Sequence, residues 1–433
     1  FILGNPPFIG KQLQGKEQKE DMKKIFGKVQ GAGVLDYVTA WYLKSAKYIQ
    51  GTKIKVAFVS TNSIAQGEQV GILWKELFDN YKIKIHFAHQ TFNWSNEAKA
   101  NAAVHVIIVG FANFDSDNKT IFEYEDIKGI PHAKSVKNIN PYLVEGDDFV
   151  IEKRRKSICD VPNISFGSMP NDGGNFLLTD EDKAELLLHE PIAEKYIKPL
   201  LSAREFLNGK NRWCLWLENL ELNDLKSMPL VKQRIENVKN LRAESTREAT
   251  KKLAEYPTLF GENRQPKSDF VLIPRHFSEN RQYLVLGYFS KDYIASDSCL
   301  AIDNVTLLHL GILTSSMHMT WVKYTCGRIK SDYRYSNELV YNNYPFPKNV
   351  SQKNKEQVEE KAQKVLEVRA SFEESSLADL YDPLAMPPTL KKAHQELDKA
   401  VDKCYTTKSF KNDKERIEFL FELYEEYIES MAK

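Results

Sequence analysis

The residues with the most specific chemistry are Asn5, Pro6, Pro7 and Phe8, near the start of the 433-residue sequence. They follow a short apolar run at residues 1–4. An apolar run that stops at two prolines predicts a buried strand that opens into a rigid loop. Because proline fixes its own φ and biases the preceding residue away from helix, the Asn5 side-chain oxygen and the Pro6 carbonyl are expected to point in preset directions. This proline loop (residues 5–8) therefore predicts two hydrogen-bond acceptors beside an aromatic ring.

Such an acceptor pair fits the exocyclic amine of adenine, a poor nucleophile because its lone pair is delocalised into the ring. The two acceptors can take the two N–H groups and return electron density to nitrogen, while Phe8 stacks on the base. An ordinary Asn-Pro turn is the alternative, but it explains the prolines and not the aromatic residue. The loop resembles the fourth motif of the amino-group DNA methyltransferases, which is Asn-Pro-Pro followed by Phe, Tyr or Trp.

The elements around the loop predict an α/β sheet. Strands are expected at residues 54–59, 83–87 and 102–111, and helices at 35–49 and 72–78, whereas residues 11–33 are expected to be a loop with at most a short helix. Alternating strands and helices indicate a sheet covered by helices. Ligands of such sheets bind beyond the carboxyl ends of strands, which is where the proline loop falls.

Two large aromatic residues, Phe92 and Trp94, stand in what is expected to be the loop before the last of these strands. In the methyltransferase interpretation one of them stacks on the flipped adenine opposite Phe8. Spacing does not choose between them, and packing of the loop onto the core is the alternative.

The alternation of predicted strands and helices stops over residues 112–175, which indicates a change of domain. Thr179 and Asp182 resemble a capping box that opens a helix to about His189. Further along, Lys and Arg outnumber Asp and Glu between residues 228 and 275, mostly along one predicted helix. Such a helix can follow a phosphate backbone, or it can be a solvated surface helix. Short strands are expected at 271–276 and 283–288.

The stretch of residues 327–336 alternates strictly through its middle. If it is extended, Lys330, Asp332 and Arg334 share one face. Lys and Arg suit guanine and Asp can accept from cytosine, so this face is able to read bases. A surface ladder of ion pairs is the alternative.

Composition sets the remaining limits. The net charge is +1, so DNA binding requires a local basic patch. The five cysteines are scattered without metal-ligand spacing, so neither disulfides nor a metal site is expected. We find no apolar run long enough to span a membrane and no signal peptide, and we expect a cytoplasmic protein. Helical periodicity at residues 354–372 and 417–431, separated by prolines, predicts a small helical domain at the end.

Beyond the proline loop, most of the chain resembles the MmeI-type branch of bacterial restriction-modification enzymes. The phrases that carry this resemblance lie at residues 35–38 with Trp41, 92–96, 212–216, 273–276, 327–336 and 380–383. The resemblance implies the second half of a Rossmann-like methyltransferase domain at 1–114, an α+β target recognition domain at 115–349 and a helical domain at 350–433. It implies S-adenosylmethionine as cofactor and double-stranded DNA as partner. It also implies a catalytic loop at Asn5, Pro6, Pro7 and Phe8, and DNA contacts by Arg275, His276, Arg328, Lys330, Asp332 and Arg334.

One departure from the family pattern matters. Family members carry a glycine-rich loop for S-adenosylmethionine, and an acidic residue for its ribose, upstream of the proline loop, and this sequence contains neither. We therefore expect these residues to be the C-terminal part of a longer enzyme, inactive alone, and whether that enzyme also cuts DNA stays open. The competing hypotheses are a sequence-specific DNA-binding module with an inert methyltransferase remnant, and an enzyme that methylates another amide or amine, such as a protein glutamine. The long basic and aromatic region after residue 175 disfavours the last.

Overall fold

The computed structural model describes residues 1–94, 104–329 and 331–432, and the elements are numbered here in chain order. The strands are β1 (Ile2–Gly4), β2 (Val56–Thr61), β3 (Lys84–Trp94), β4 (Val104–Ala112), β5 (Lys119–Glu123), β6 (His132–Val136), β7 (Ile164–Phe166), β8 (Leu177–Leu178), β9 (Ile197–Leu201), β10 (Trp213–Leu215), β11 (Phe270–Pro274), β12 (His276–Phe277), β13 (Gly287–Phe289), β14 (Ile294–Ala295), β15 (Cys299–Asp303), β16 (Gly327–Ile329) and β17 (Asp332–Arg334). The helices are α1 (Lys16–Phe26), α2 (Thr39–Tyr48), α3 (Glu68–Tyr81), α4 (Asp180–His189), α5 (Ala203–Asn208), α6 (Leu222–Lys226), α7 (Pro229–Ala243), α8 (Glu248–Lys252), α9 (Leu307–Leu313), α10 (Ser316–Thr325), α11 (Gln352–Ala370), α12 (Leu377–Leu380), α13 (Pro388–Tyr405) and α14 (Asp413–Ala432).

The chain divides into two compact units. The first comprises residues 1–159, 320–346 and 410–433, and the second comprises residues 160–319 and 347–409. The mixed α/β class expected from the sequence is confirmed. The domain boundaries expected after residues 114 and 349 stay a prediction.

A six-stranded sheet in the order β1-β2-β4-β3-β5-β6 forms the centre of the first unit. β1 is parallel to β2, β4 lies antiparallel between β2 and β3, and β3 is parallel to β5. β1, β2 and β3 therefore point the same way. The prediction that the proline loop leaves the carboxyl end of a strand is confirmed, because β1 ends at Gly4. The expected burial of that strand is wrong, since β1 lies at the edge of the sheet and Phe1 and Leu3 are 92% and 76% exposed.

Aromatic side chains fill the core against this sheet. The Tyr42 ring of α2 stacks on Phe111 at 5.4 Å between centroids and meets Phe58 edge-on at 5.3 Å. The Tyr42 hydroxyl, which is buried, forms a 2.7 Å hydrogen bond with the Ser60 hydroxyl. A buried phenol needs such a partner, and here the partner fixes α2 on β2.

Several expected elements differ in the structure. The sequence predicts a loop with at most a short helix over residues 11–33, but α1 occupies eleven of them. Its polar sequence buries only Met22 and Phe26, four residues apart, which is too few for a recognisable stripe. The expected strand at 83–87 is part of β3, which continues to Trp94, so Phe92 and Trp94 lie in a strand and not in a loop.

The first unit also contains two pieces from late in the chain. β16 and β17 form an antiparallel hairpin, with Gly327 opposite Arg334. α14 packs its aromatic side chains in this unit, where the Phe421 ring lies 5.8 Å from Trp321 and 5.1 Å from Tyr142. The Trp321 indole donates to the Val340 carbonyl at 3.0 Å.

The second unit holds two four-stranded sheets, in the orders β14-β9-β10-β8 and β13-β11-β15-β7. The expected capping box at the start of α4 is confirmed, because the Thr179 hydroxyl accepts from the Asp182 amide and the Asp182 carboxylate accepts from the Thr179 amide. The basic segment expected to be one helix is two, α7 and α8. The expected strand at 283–288 is wrong over most of its length, since β13 begins at Gly287.

α11, α12 and α13 complete the second unit. The prolines at 387 and 388 are expected to break helices, and no helix runs through them, because α12 ends at Leu380 and the 18-residue α13 begins at Pro388. Proline is favoured at this position, where its missing N–H has no helical partner to lose. The buried Asp398 of α13 accepts from the Ser316 amide at 2.7 Å and from the Tyr283 hydroxyl at 3.0 Å.

Candidate active site

The proline loop lies at the carboxyl edge of the sheet in the first unit. Its ring at Pro6 is buried, whereas Asn5 and Pro7 are exposed and Phe8 is half-buried. The parallel pairing of β1 with β2 fixes the start of the loop, with Gly4 opposite Phe58. The arrangement anchors the loop through Pro6 and leaves the Asn5 side chain open to a ligand.

A second segment holds the backbone that directly follows the proline loop. The Lys11 amide donates to Asp36 Oδ1 at 3.1 Å, and the Tyr37 amide donates to the Ile9 carbonyl at 2.9 Å. Asp36 and Tyr37 stand between Leu35 and the start of α2. Sequence reasoning gave Asp36 no role, although it lies in one of the phrases that carry the family resemblance. An isolated acidic residue ahead of an apolar helix was the available signal.

Phe92 and Trp94 lie at the same edge of the sheet. The Phe92 ring stacks on Tyr124 at 5.1 Å between centroids, and it is 6.2 Å from Trp94. Trp94 is the more open of the two, with 38% of its surface exposed. His89 adds a third ring, because it stacks on Phe122 at 4.2 Å and its Nδ1 forms a 2.9 Å hydrogen bond with the Tyr124 hydroxyl.

The electrostatics of this aromatic cluster follow from its burial. Burial lowers the pKa of His89 and raises the pKa of Tyr124. Both shifts favour the uncharged side chain, because desolvation penalises the charged form. The sequence alone did not point to His89 or Tyr124, since neither stands in a recognisable motif.

The register of the sheet relates the loop to these aromatic residues. Phe92 and Thr61 both lie opposite Val106, so the carboxyl ends of β2 and β3 stand level. β1 and β3 are separated by three strand spacings, about 14 Å. The structure therefore places the proline loop, Phe92 and Trp94 at one edge, on strands that are not neighbours.

The hairpin of β16 and β17 carries most of the expected DNA contacts of this unit. Asp332 and Arg334 are exposed and Tyr333 between them is buried, as the alternation predicts. Lys330 lies outside the described residues. The exposed pair presents one acidic and one basic side chain, two positions apart, on the same side of β17.

Arg328 makes several contacts within the protein. Its Nε donates to Gln66 Oε1 at 3.0 Å, its Nη1 donates to the Ser331 carbonyl at 3.0 Å, and its guanidinium lies 4.2 Å from the Tyr333 ring centroid. Gln66 follows the 3₁₀ turn at the end of β2. The hairpin is thus fixed to the loop after β2.

Glycine at residue 67 permits this close approach. A Cβ at Gly67 would lie 2.7 Å from Gly327 Cα. Gly67 also has φ of 70° and ψ of −158°, a conformation almost restricted to glycine. Glycine is therefore needed at residue 67, whereas a Cβ at Gly327 would lie 3.9 Å from Gly67 Cα, an ordinary contact distance.

Arg275 and His276 lie in the second unit. The Arg275 guanidinium lies 4.5 Å from the Phe166 ring centroid, and its Nη1 donates to the Asp297 carbonyl at 3.0 Å. His276 is exposed. Of the two, His276 presents the more open side chain to a ligand.

Arg242, which stands among the basic residues of the expected phosphate-binding helix, is fully buried. Its guanidinium donates to five backbone carbonyls, at residues 170, 171, 253, 256 and 259. The expectation that this residue lines a phosphate-binding face is therefore wrong. Lys232 and Lys239 of the same helix are exposed.

Residues 1–94, 104–329 and 331–432 contain no group of three or more His, Cys, Asp or Glu side chains able to hold a metal ion. Within the same ranges no helix combines the length and apolar character needed to cross a membrane.

Comparison with known proteins assigns the family. Models of the MmeI DNA-methyltransferase domain, the MmeI target recognition domain and the MmeI C-terminal domain match residues 1–123, 145–348 and 350–432. The chain belongs to the MmeI family. The MmeI models run in the same order as the domains expected from the sequence.

Two MmeI relatives match over nearly the whole chain. DNA methyltransferase A of Bacillus subtilis (strain 168) is 44% identical over 430 residues, which are 99% of this chain and 48% of that protein. The Type IIL restriction-modification enzyme MmeI, solved in complex with DNA, is 46% identical with a TM-score of 0.88, over 99% of this chain and 57% of that one. The chain thus spans about half the length of these MmeI relatives.

Proposed function

We propose that the chain carries the methyl-transfer loop and the DNA reader of a site-specific adenine methyltransferase in a restriction-modification system. The observation that carries this proposal is the exposed Asn5 in a proline loop at the carboxyl edge of a parallel strand pair, in a member of the MmeI family. Open α/β sheets bind nucleotide-like ligands at this edge, and S-adenosylmethionine and a flipped adenine are both of that kind.

In this proposal double-stranded DNA delivers one adenine to the proline loop. Asn5 Oδ1 and the Pro6 carbonyl accept the two N–H groups of the exocyclic amine, which raises the electron density on its nitrogen. Phe8 stacks on one face of the base, and S-adenosylmethionine, when bound, supplies an electrophilic methyl group. The residues of this chain orient the amine for transfer without a covalent enzyme intermediate.

We propose that Phe92 or Trp94 covers the other face of the base. The Phe92 ring already stacks on Tyr124, whereas Trp94 leaves more of its surface open, which favours Trp94. With 2-aminopurine at the target position, the variant that removes the covering ring should weaken the fluorescence change that accompanies base flipping. Phe92→Ala and Trp94→Ala compared side by side identify which ring it is.

For recognition, the exposed Asp332 and Arg334 support base contacts from the hairpin, with Lys330 beside them in the sequence. His276 is proposed to contact DNA from the second unit. Arg275 and Arg328 are proposed to support the reading surface, because each donates to an acceptor in its own unit.

The test compares catalysis with binding in the full-length protein. Asn5→Ala should abolish methyl transfer to DNA and leave the affinity for specific DNA within about threefold of wild type, because in this proposal Asn5 contacts only the reacting base. A parallel loss of transfer and DNA binding would assign Asn5 a structural role. Specific binding by a wild-type protein that transfers no methyl group would favour the inert DNA-binding module.

A further inference from the structure

We propose that Asp36 is a positioning residue that fixes the proline loop against the end of β2. The inference rests on the proposed function, because the loop is taken to be the one that holds the reacting amine. Asp36 does not touch that site directly. It joins the backbone that follows the loop to the turn that follows the neighbouring strand.

The two carboxylate oxygens of Asp36 face different elements. Oδ1 accepts from the Lys11 amide at 3.1 Å, and Oδ2 accepts from the Ser63 hydroxyl at 2.6 Å. The Ser63 hydroxyl also forms a 2.8 Å hydrogen bond with the Thr61 hydroxyl at the end of β2. The half-buried Asp36 carboxylate thus links the backbone after the proline loop, at Lys11, to the turn after β2, at Ser63.

The backbone around Asp36 is itself fixed. The Asp36 amide donates to Gln69 Oε1 of α3 at 2.9 Å, and the next amide, of Tyr37, donates to the Ile9 carbonyl at 2.9 Å. Hydrogen bonds to a charged carboxylate are stronger than neutral ones, so those of the Asp36 side chain are expected to be stronger than those made by the Asp36 and Tyr37 amides.

The proline loop needs such support because it belongs to neither a helix nor a strand. Residues 5–10 have no regular secondary structure, and β1 holds only their first end through Gly4. Two acceptors that must meet two N–H groups of one amine tolerate little displacement. A shift of about 1 Å can lower a rate by about 100-fold, even when the change lies away from the reacting atoms.

The chemistry of the Asp36 contacts defines a graded set of variants. Asp36→Ala removes both bonds. Asp36→Asn can keep both, because the amide oxygen can accept from Lys11 while the amide nitrogen donates to the Ser63 oxygen, whose own proton can turn to Thr61. Of these two bonds, Ser63→Ala removes only the hydrogen bond between residue 63 and Asp36 Oδ2. Asp79→Asn, an exposed carboxylate on α3, is the control for a change of charge.

The experiment measures single-turnover methyl transfer in the full-length protein at saturating DNA, together with DNA affinity and thermal unfolding. We expect a rate about 100-fold lower for Asp36→Ala, about tenfold lower for Ser63→Ala, and within about threefold of wild type for Asp36→Asn and Asp79→Asn. DNA affinity should change by less than about threefold in all four. Recovery by Asp36→Asn distinguishes positioning from a need for the negative charge.

Several results would overturn the inference. A wild-type rate in Asp36→Ala would show that the loop holds its place without the carboxylate. An Asp36→Asn rate as low as that of Asp36→Ala would show that the two hydrogen bonds, which asparagine can also form, do not account for the role of Asp36. If Asp36→Ala does not fold, wild-type rates in Ser63→Ala would still refute the link to β2. Absence of methyl transfer by the wild-type protein, in contrast, defeats the proposed function itself.

Discussion

Replacement of Arg242 by methionine should destabilise the second unit locally by about 3–5 kcal/mol. The guanidinium uses all five of its N–H donors, at distances of 2.8–3.1 Å, on carbonyls from residues 170–171 and 253–259. Burial lowers the pKa of Arg242, and the negative charge of Asp172 raises it. Methionine fills much of the volume but removes one donor from each of the five carbonyls, of which those of Pro170, Leu253 and Tyr256 also accept from backbone amides.

The magnitude follows from the loss of five hydrogen bonds to buried backbone carbonyls. Each lost hydrogen bond costs about 1 kcal/mol or more, and water that enters the site recovers part of the total. Arg242→Lys, with three donors on one nitrogen, cannot span carbonyls from both segments and should lose about 2 kcal/mol. Lys239→Met on the same helix is the control, because Lys239 is exposed and its 3.6 Å ion pair with Glu236 contributes less than about 0.5 kcal/mol.

Native-state hydrogen exchange with mass spectrometry suits this prediction, because a chain of two units does not guarantee two-state unfolding. The Gly261 amide donates to the Pro170 carbonyl, which Arg242 also binds. Peptides covering residues 253–262 should exchange about 100-fold to 4000-fold faster in Arg242→Met, since each 1.4 kcal/mol is tenfold. Equal exchange in Arg242→Met and Lys239→Met would show that the Arg242 hydrogen bonds do not stabilise this segment.

Two further predictions concern the first unit. Gly67→Ala should lower the free energy of unfolding by about 2 kcal/mol and weaken discrimination between specific and mismatched DNA, because the added Cβ would meet Gly327. Chemical denaturation and competition binding check this, and an equal effect of Gly33→Ala, where a Cβ would meet nothing within 4 Å, would contradict it. Glu425→Gln should make stability less dependent on pH. Burial, and to a smaller extent the negative charges of Asp147 and neighbouring glutamates, raise the pKa of Glu425 from 4.5 to about 7. The folded protein binds the proton more tightly, so the wild type should lose stability as pH rises from about 4.5 to 7, and melting curves of equal slope for both proteins would rule out this assignment.

The sequence predicted the parts of the fold where local signals and tertiary structure agree. The strand that ends at the proline loop, the capping box of α4 and the alternation at Asp332 and Arg334 are all confirmed. In each case the residue types themselves dictate a backbone conformation or a face. The chemical role of these positions stays a prediction.

Other features depend on partners that are distant in sequence. Arg242 is buried and Lys239 is exposed on the same helix, and only the carbonyls of residues 170–171 and 253–259 decide this. α1 was missed because two buried residues do not make a periodic pattern. The link through Asp36 could not be predicted for the same reason, since Lys11 and Ser63 are 25 and 27 residues away.

The proposed function requires that the full-length protein methylates adenine in DNA through the proline loop. The most direct measurement gives the full-length protein isotopically labelled S-adenosylmethionine and double-stranded DNA, digests the DNA to nucleosides and identifies the labelled product by mass spectrometry. We expect label in N6-methyladenine with the wild type and none with Asn5→Ala. Label in a methylated cytosine, or label that stays on protein, would contradict the claim.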